Sequence, residues 1–104
     1  MTTLEMLMAH LSKAKDVTFS RLPKVRCANG FTMSVQYGSG LYCSQYMTAF
    51  PVVPKTCEIG FPSRAVKSLE PYREGADKPT KSVYGWVPLS VIVQIIDANG
   101  GWEQ

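Results

Sequence analysis

Asn29-Gly30-Phe31-Thr32-Met33-Ser34-Val35-Gln36 is the stretch on which the fold turns. Asn-Gly supplies the two positive-φ residues of a tight hairpin turn, and the six residues behind it alternate apolar and polar without a break. Phe31, Met33 and Val35 therefore face one way and Thr32, Ser34 and Gln36 the other, as in a strand buried on one side. Upstream, Lys24-Val25-Arg26-Cys27 alternates in the same manner and is the natural hairpin partner.

Working outward, Gly38-Ser39-Gly40 reads as a second turn and Leu41-Tyr42-Cys43-Ser44 as a third strand. Past the loop around Pro51 and Pro54, Thr56 to Phe61 places Cys57, Ile59 and Phe61 on one face, a fourth strand that completes an antiparallel meander. Pro62-Ser63 opens a short helix over 64–69 that Pro71 cuts off, and Glu74 to Pro79 is a polar loop. Ser82 to Val87 is a further short strand.

The two ends of the chain read as helices. Thr2-Thr3-Leu4-Glu5 forms a capping box, and Leu4, Leu7, Met8 and Leu11 follow at helical spacing to about Ala14, with His10 at the edge of that apolar face. Pro88 suits the first position of a closing helix with Leu89, Ile92, Val93 and Ile96 as its stripe, widened by Val91 and Ile95, and Asn99-Gly100-Gly101 stops it. The expected fold is α+β: one domain over 1–104, an antiparallel sheet of three to five strands packed on one face by helices of about residues 3–14 and 88–98. Tyr84 to Pro88 with Ile92, Val93 and Ile96 is the expected stability centre, Trp86 burying its ring there.

Composition narrows the function classes. The chain has 104 residues, 45% hydrophobic and 18% charged, which suits a single globular domain. Its net charge of +3 is too small to mark a dedicated nucleic-acid binder. The excess is local: Lys13, Lys15, Arg21, Lys24 and Arg26 crowd one segment, whereas residues 53–104 hold six bases and six acids. That segment reads as a solvated connection or as an anion-facing patch. Three widely spaced cysteines, Cys27, Cys43 and Cys57, do not fit a paired disulfide framework and point to a reducing compartment. The amino terminus lacks a signal peptide's basic start and cleavage site, and Val91 to Ile96 is far too short to span a bilayer. A soluble protein, monomer or homodimer, is expected, with no membrane association.

Catalytic patterns find no support. His10 is the sole histidine, Gly38-Ser39-Gly40 lacks nucleophile-elbow spacing, no phosphate-cradling glycine loop is present, and Glu70 and Glu74 straddle Pro71. A zinc site of His10, Cys27, Cys43 and Cys57 lacks any C-x-x-C pair. Neither enzyme activity nor a cofactor or metal is expected. What stands out is aromatic density between positions 31 and 50, where Tyr37 and Tyr46 near turns, flanked by Gln36 and Gln45, are the candidate partner-binding residues. The bland alternative makes these aromatics core and cover.

Met33-Ser34-Val35-Gln36, Tyr42-Cys43-Ser44 and Val83-Tyr84-Gly85-Trp86-Val87-Pro88 leading to Gly100-Gly101 together resemble a loosely defined group of short tailed-bacteriophage proteins over about residues 27 to 101. The resemblance implies a viral setting, and no catalytic role is carried over from it; the host cytoplasm is the expected location. The expected function is a non-enzymatic phage accessory protein that binds and inhibits a host protein or complex, such as a CRISPR-type defence component. The alternative is a small nucleic-acid-binding module using Lys13, Lys15, Arg21, Lys24 and Arg26 on phosphates, with a minor virion component as a third reading.

Overall fold

The computed structural model describes residues 1–16, 18–43 and 54–103. Helix α1 (Thr3–Leu11) starts at the expected capping box, Thr2 Oγ1 accepting from the Glu5 amide at 3.1 Å and the Glu5 carboxylate accepting from the Thr2 amide at 2.9 Å. Two donors that a helix start leaves without intrahelical partners are thereby satisfied. The helix stops at Leu11 rather than near Ala14, and its buried side is Leu7, His10 and Leu11, continued by Ala14. Leu4 and Met8 lie further round the cylinder and are exposed, so the stripe is centred differently from the expected one.

Strands β1 (Val25–Arg26), β2 (Thr32–Gln36), β3 (Thr56–Gly60), β4 (Arg73–Glu74) and β5 (Val83–Pro88) form one antiparallel sheet in the order β1-β2-β3-β5-β4. The first three make a meander, but β5 then inserts between β3 and β4. The physical reason is burial: β5 carries Tyr84 and Val87, both fully buried, and needs neighbours on each side, while the short polar pair Arg73-Glu74 suits an edge. Core-side residues meet across the sheet, Val25 opposite Met33, Val35 opposite Ile59, and Ile59 opposite Tyr84.

Helix α2 (Leu89–Ala98) follows β5 directly, with Pro88 as the capping residue just outside the helix instead of its first helical position. Ile92, Ile95 and Ile96 are buried in the same core cluster as Leu7, Leu11, Val35 and Ile59, and the two helices touch one another. Gly100 and Gly101 take the left-handed conformation, φ 88° and 86°, and Gly101 donates to the Ile96 carbonyl at 3.0 Å. The chain then runs beside β1, where Trp102 bridges Cys27 and the Glu103 amide donates to Arg26. Among the described residues no helix is long and apolar enough to cross a membrane.

Four further expectations are corrected. The β1–β2 turn is a three-residue loop, Ala28 to Gly30, in which Gly30 alone has positive φ (93°) and the Cys27 amide donates to Phe31 at 2.8 Å. Leu41 to Cys43 is a compact bend: the Leu41 amide donates to Gly38 and the Cys43 amide to Leu41, so the segment turns on itself and its backbone meets β5 through the Tyr42 carbonyl. Ser44, assigned to the same strand, lies outside the described residues. The helix placed at 64–69 is a 3-10 segment, Lys67–Tyr72, that contains Pro71. Finally, Phe61 and Trp86, both expected to face the core, point outward.

Candidate functional site: the open face of the sheet

The residues that alternate away from the core gather on one surface. Ser34 lies opposite Gly60, Gln36 opposite Glu58, Gly60 opposite Val83, and Val83 opposite Glu74. Across this surface opens a recess of about 290 Å³ walled by Phe19, Leu41, Phe61 and Val83, with Ser34, Gln36, Glu58 and Gly60 completing its lining. Neither helix contributes a residue to it.

Two of the large aromatics here are held by unusual backbone. Phe61 and Trp86 have φ of 51° and 53°, a left-handed region that bulky side chains rarely enter and that costs about 1 to 2 kcal/mol for each residue. At Trp86 the cause is a β-bulge, since Glu58 alone faces both Gly85 and Trp86 between the pairs Cys57–Val87 and Ile59–Tyr84. The bulge turns the indole out of the core, and the Trp86 amide donates to the Tyr42 carbonyl at 2.9 Å. Tyr42 and Trp86 rings then lie 5.2 Å apart. At Phe61 the kink follows the end of β3, where its amide still bonds Ser82 at 3.0 Å while the ring swings onto the open face. Phe61 and Trp86 are each 50% exposed, Tyr42 47% and Phe19 39%. Monomeric proteins seldom leave so many large apolar groups on one surface without a use for them.

Carboxylates sit among these rings. Burial, reinforced by the charge of Glu74, pushes the Glu58 carboxyl above the usual carboxylate range. Gly85 is required beside them, because a Cβ there would stand 2.9 Å from Tyr42 Cβ and 3.0 Å from a Glu74 carboxylate oxygen. The recess thus has aromatic walls and one acid, Glu58, in its lining, with Glu74 close enough outside it to act on that carboxyl.

The residues singled out from sequence fare unevenly. Tyr37 is fully buried and its hydroxyl donates to the Leu11 carbonyl at 2.7 Å, so it ties the sheet to α1 and presents no ring to a partner. Gln36 lines the recess, yet its side chain is largely spent inside: its carbonyl accepts from Ser20 and Leu22, and its amide donates to Leu22 at 2.7 Å and Ser34 at 3.2 Å. Gln45 and Tyr46 lie outside the described residues. Of the basic segment, Lys13, Lys15 and Arg21 line a separate recess of about 460 Å³ with Asp16, while exposed Lys24 and Arg26 do not take part. Asp16 accepts from the Thr18 hydroxyl and amide, bonds that hold its carboxyl below the usual range, and it also pairs with Arg21 at 3.6 Å. A permanent negative charge inside the basic recess works against phosphate binding. Sequence reasoning missed Phe61 and Trp86, whose identities as large apolar residues signal core rather than surface.

The three cysteines are free and buried, and burial raises each thiol above its usual range, Cys57 furthest. Among the described residues no three His, Cys, Asp or Glu side chains gather as a metal would require. His10 is 7% exposed, its Nε2 has no hydrogen-bond partner among the described residues, and its ring centroid lies 5.3 Å from that of Trp102. Burial first, and Lys13 second, lower its pKa against an opposing bond to the Pro23 backbone. The unfolded chain therefore takes up a proton near pH 6.5 that the folded chain resists until lower pH. Stability is expected to be full above pH 6.5 and to fall as the pH drops below it. Glu58, whose carboxyl is raised, acts with the opposite sign, so the check is differential: thermal unfolding of the parent and His10→Gln at pH 7.5 and 5.5 should show a shallower pH dependence in the variant.

Compared with family models, curated proteins and solved structures, the chain matches none of them.

Proposed function

We propose that this protein is a non-enzymatic binding module that docks a partner protein on the open face of its sheet. The observation that carries the reading is the pair Phe61 and Trp86, half-exposed and held at positive φ on the same face. Such strain persists where the surrounding structure enforces it, and it concentrates at sites that bind. Large aromatics are also the residues that dominate the energetics of protein interfaces. The resemblance to short tailed-phage proteins supplies the setting: the partner is a host protein or complex that the contact inhibits, with a CRISPR-type defence component as the expected target.

Glycine tests this with little risk to the fold, because it adopts the left-handed conformation that Phe and Trp resist. Phe61→Gly and Trp86→Gly are each expected to stay within about 1 kcal/mol of parental stability. Affinity for the partner captured from host lysate is expected to fall by about 2 kcal/mol, roughly thirtyfold, for each. Capture and host-defence inhibition that survive both substitutions would refute the reading.

A further inference from the structure

Resting on that docking reading, we propose that the recess around Glu58 is the seat of an arginine side chain presented by the partner protein. The polar groups of the recess leave one unmet demand. Gln36 is engaged by Ser20, Leu22 and Ser34, and Gly60 offers no side chain. The Glu58 carboxylate has no ion pair among the described residues: Arg21 pairs with Asp16, and Arg73 pairs with Glu70 at 3.2 Å and donates to the Asp77 carbonyl. Glu74 adds a second negative charge that acts on Glu58. On a chain of net charge +3, a surface bearing two unneutralised carboxylates is complementary to a cation rather than to the protein's own average.

The walls select the kind of cation. Phe19 and Phe61 present rings to the recess, and a guanidinium lies well on an aromatic face while donating in its own plane to a carboxylate. Phe19 already accepts one such group, the Arg21 guanidinium lying 5.5 Å from its ring centroid. An ammonium offers the charge without the flat stacking surface, so lysine is the weaker occupant. A half-buried carboxylate beside a like charge opposes folding, and binding a guanidinium there converts that cost into affinity.

Titration of the full chain with a hexa-arginine peptide, followed by backbone amide shifts, tests the seat without needing the natural partner. The amides of Gly60, Phe61 and Val83 should move, hexa-lysine should bind more weakly, and Glu58→Gln should weaken hexa-arginine about tenfold. Glu58→Gln should melt above the parent at pH 7, since it removes a charge disfavoured by burial and by Glu74, so its weaker binding cannot be put down to unfolding. Unchanged affinity in Glu58→Gln, or shifts confined to Asp16 and its neighbours, would overturn the seat. If the captured partner depends on Phe61 and Trp86 but not on Glu58, docking survives and the arginine falls. Independence from all three removes the docking reading itself. A parent dimer that Glu58→Gln dissociates would assign the seat to a second copy's basic segment and overturn the choice of partner.

Discussion

Replacing Ile92 with Ala is expected to destabilise the protein by about 2 to 5 kcal/mol, most of the margin of a domain this size. Ile92 is fully buried and belongs to the cluster that joins α2 to Val35, Ile59 and Val87 of the sheet. Truncation loses the transfer free energy of its methylenes and leaves a cavity in a cluster whose neighbouring members, Ile96 on the next turn among them, are themselves fully buried. Urea denaturation should show a lower midpoint with an unchanged slope. A loss below about 1 kcal/mol would mean that α2 is held by something other than its isoleucine stripe.

Gly38→Ala is the second large effect. Its φ is 151°, and a Cβ there would lie 2.4 Å from the Thr18 oxygen, 2.5 Å from the Thr18 carbonyl carbon and 2.8 Å from the Phe19 nitrogen. All three are backbone atoms, so no side chain is able to rotate out of the way. The contact exists because residues 18–20 run tightly against 37–40: Ser20 donates to Tyr37 at 2.8 Å, Gly40 to Thr18 at 3.1 Å, and Tyr37 to Ser20 Oγ at 3.0 Å. Relieving the clash must break part of that pairing, at a cost of about 3 kcal/mol or more. It must also displace Phe19 from the wall of the recess. Gly75→Ala is the control, for nothing lies within 4 Å of its added Cβ and only the positive φ of 82° is opposed, at about 1 kcal/mol. Comparable losses at the two positions would contradict the close backbone contact at Gly38.

Much of the fold was legible because it rests on local rules. Thr2 and Glu5 announce the start of α1, Phe31, Met33 and Val35 alternate into the core, and Leu89 to Ile96 writes its stripe openly. Tyr37 continues the same odd-numbered series, so its burial was readable from parity, yet its place beside a turn suggested a surface ring. The place of β5 between β3 and β4 was not readable, since no local pattern states which strands become neighbours. The site was least legible for the same reason that it works. Phe61 and Trp86 are apolar residues in alternating segments, and only a bulge opposite Glu58 and a left-handed kink after β3 turn them outward. Both distortions arise from pairing between strands, not from the residues that carry them. The cluster of bases from Lys13 to Arg26 was plain in the sequence, but the Asp16 that neutralises part of it became decisive only once Arg21 was seen beside it.

Hydrogen exchange of the protein free and in complex with its captured partner tests the docking face most directly. Protection is expected to concentrate in 32–36, 58–61 and 83–86, the segments that carry Glu58, Phe61 and Trp86, and to include Phe19 on the recess wall, with little change in 13–16 and 21–26. Protection confined to 13–16 and 21–26, with Phe19 and the sheet strands exchanging as in the free protein, would contradict the account and return the function to the basic recess.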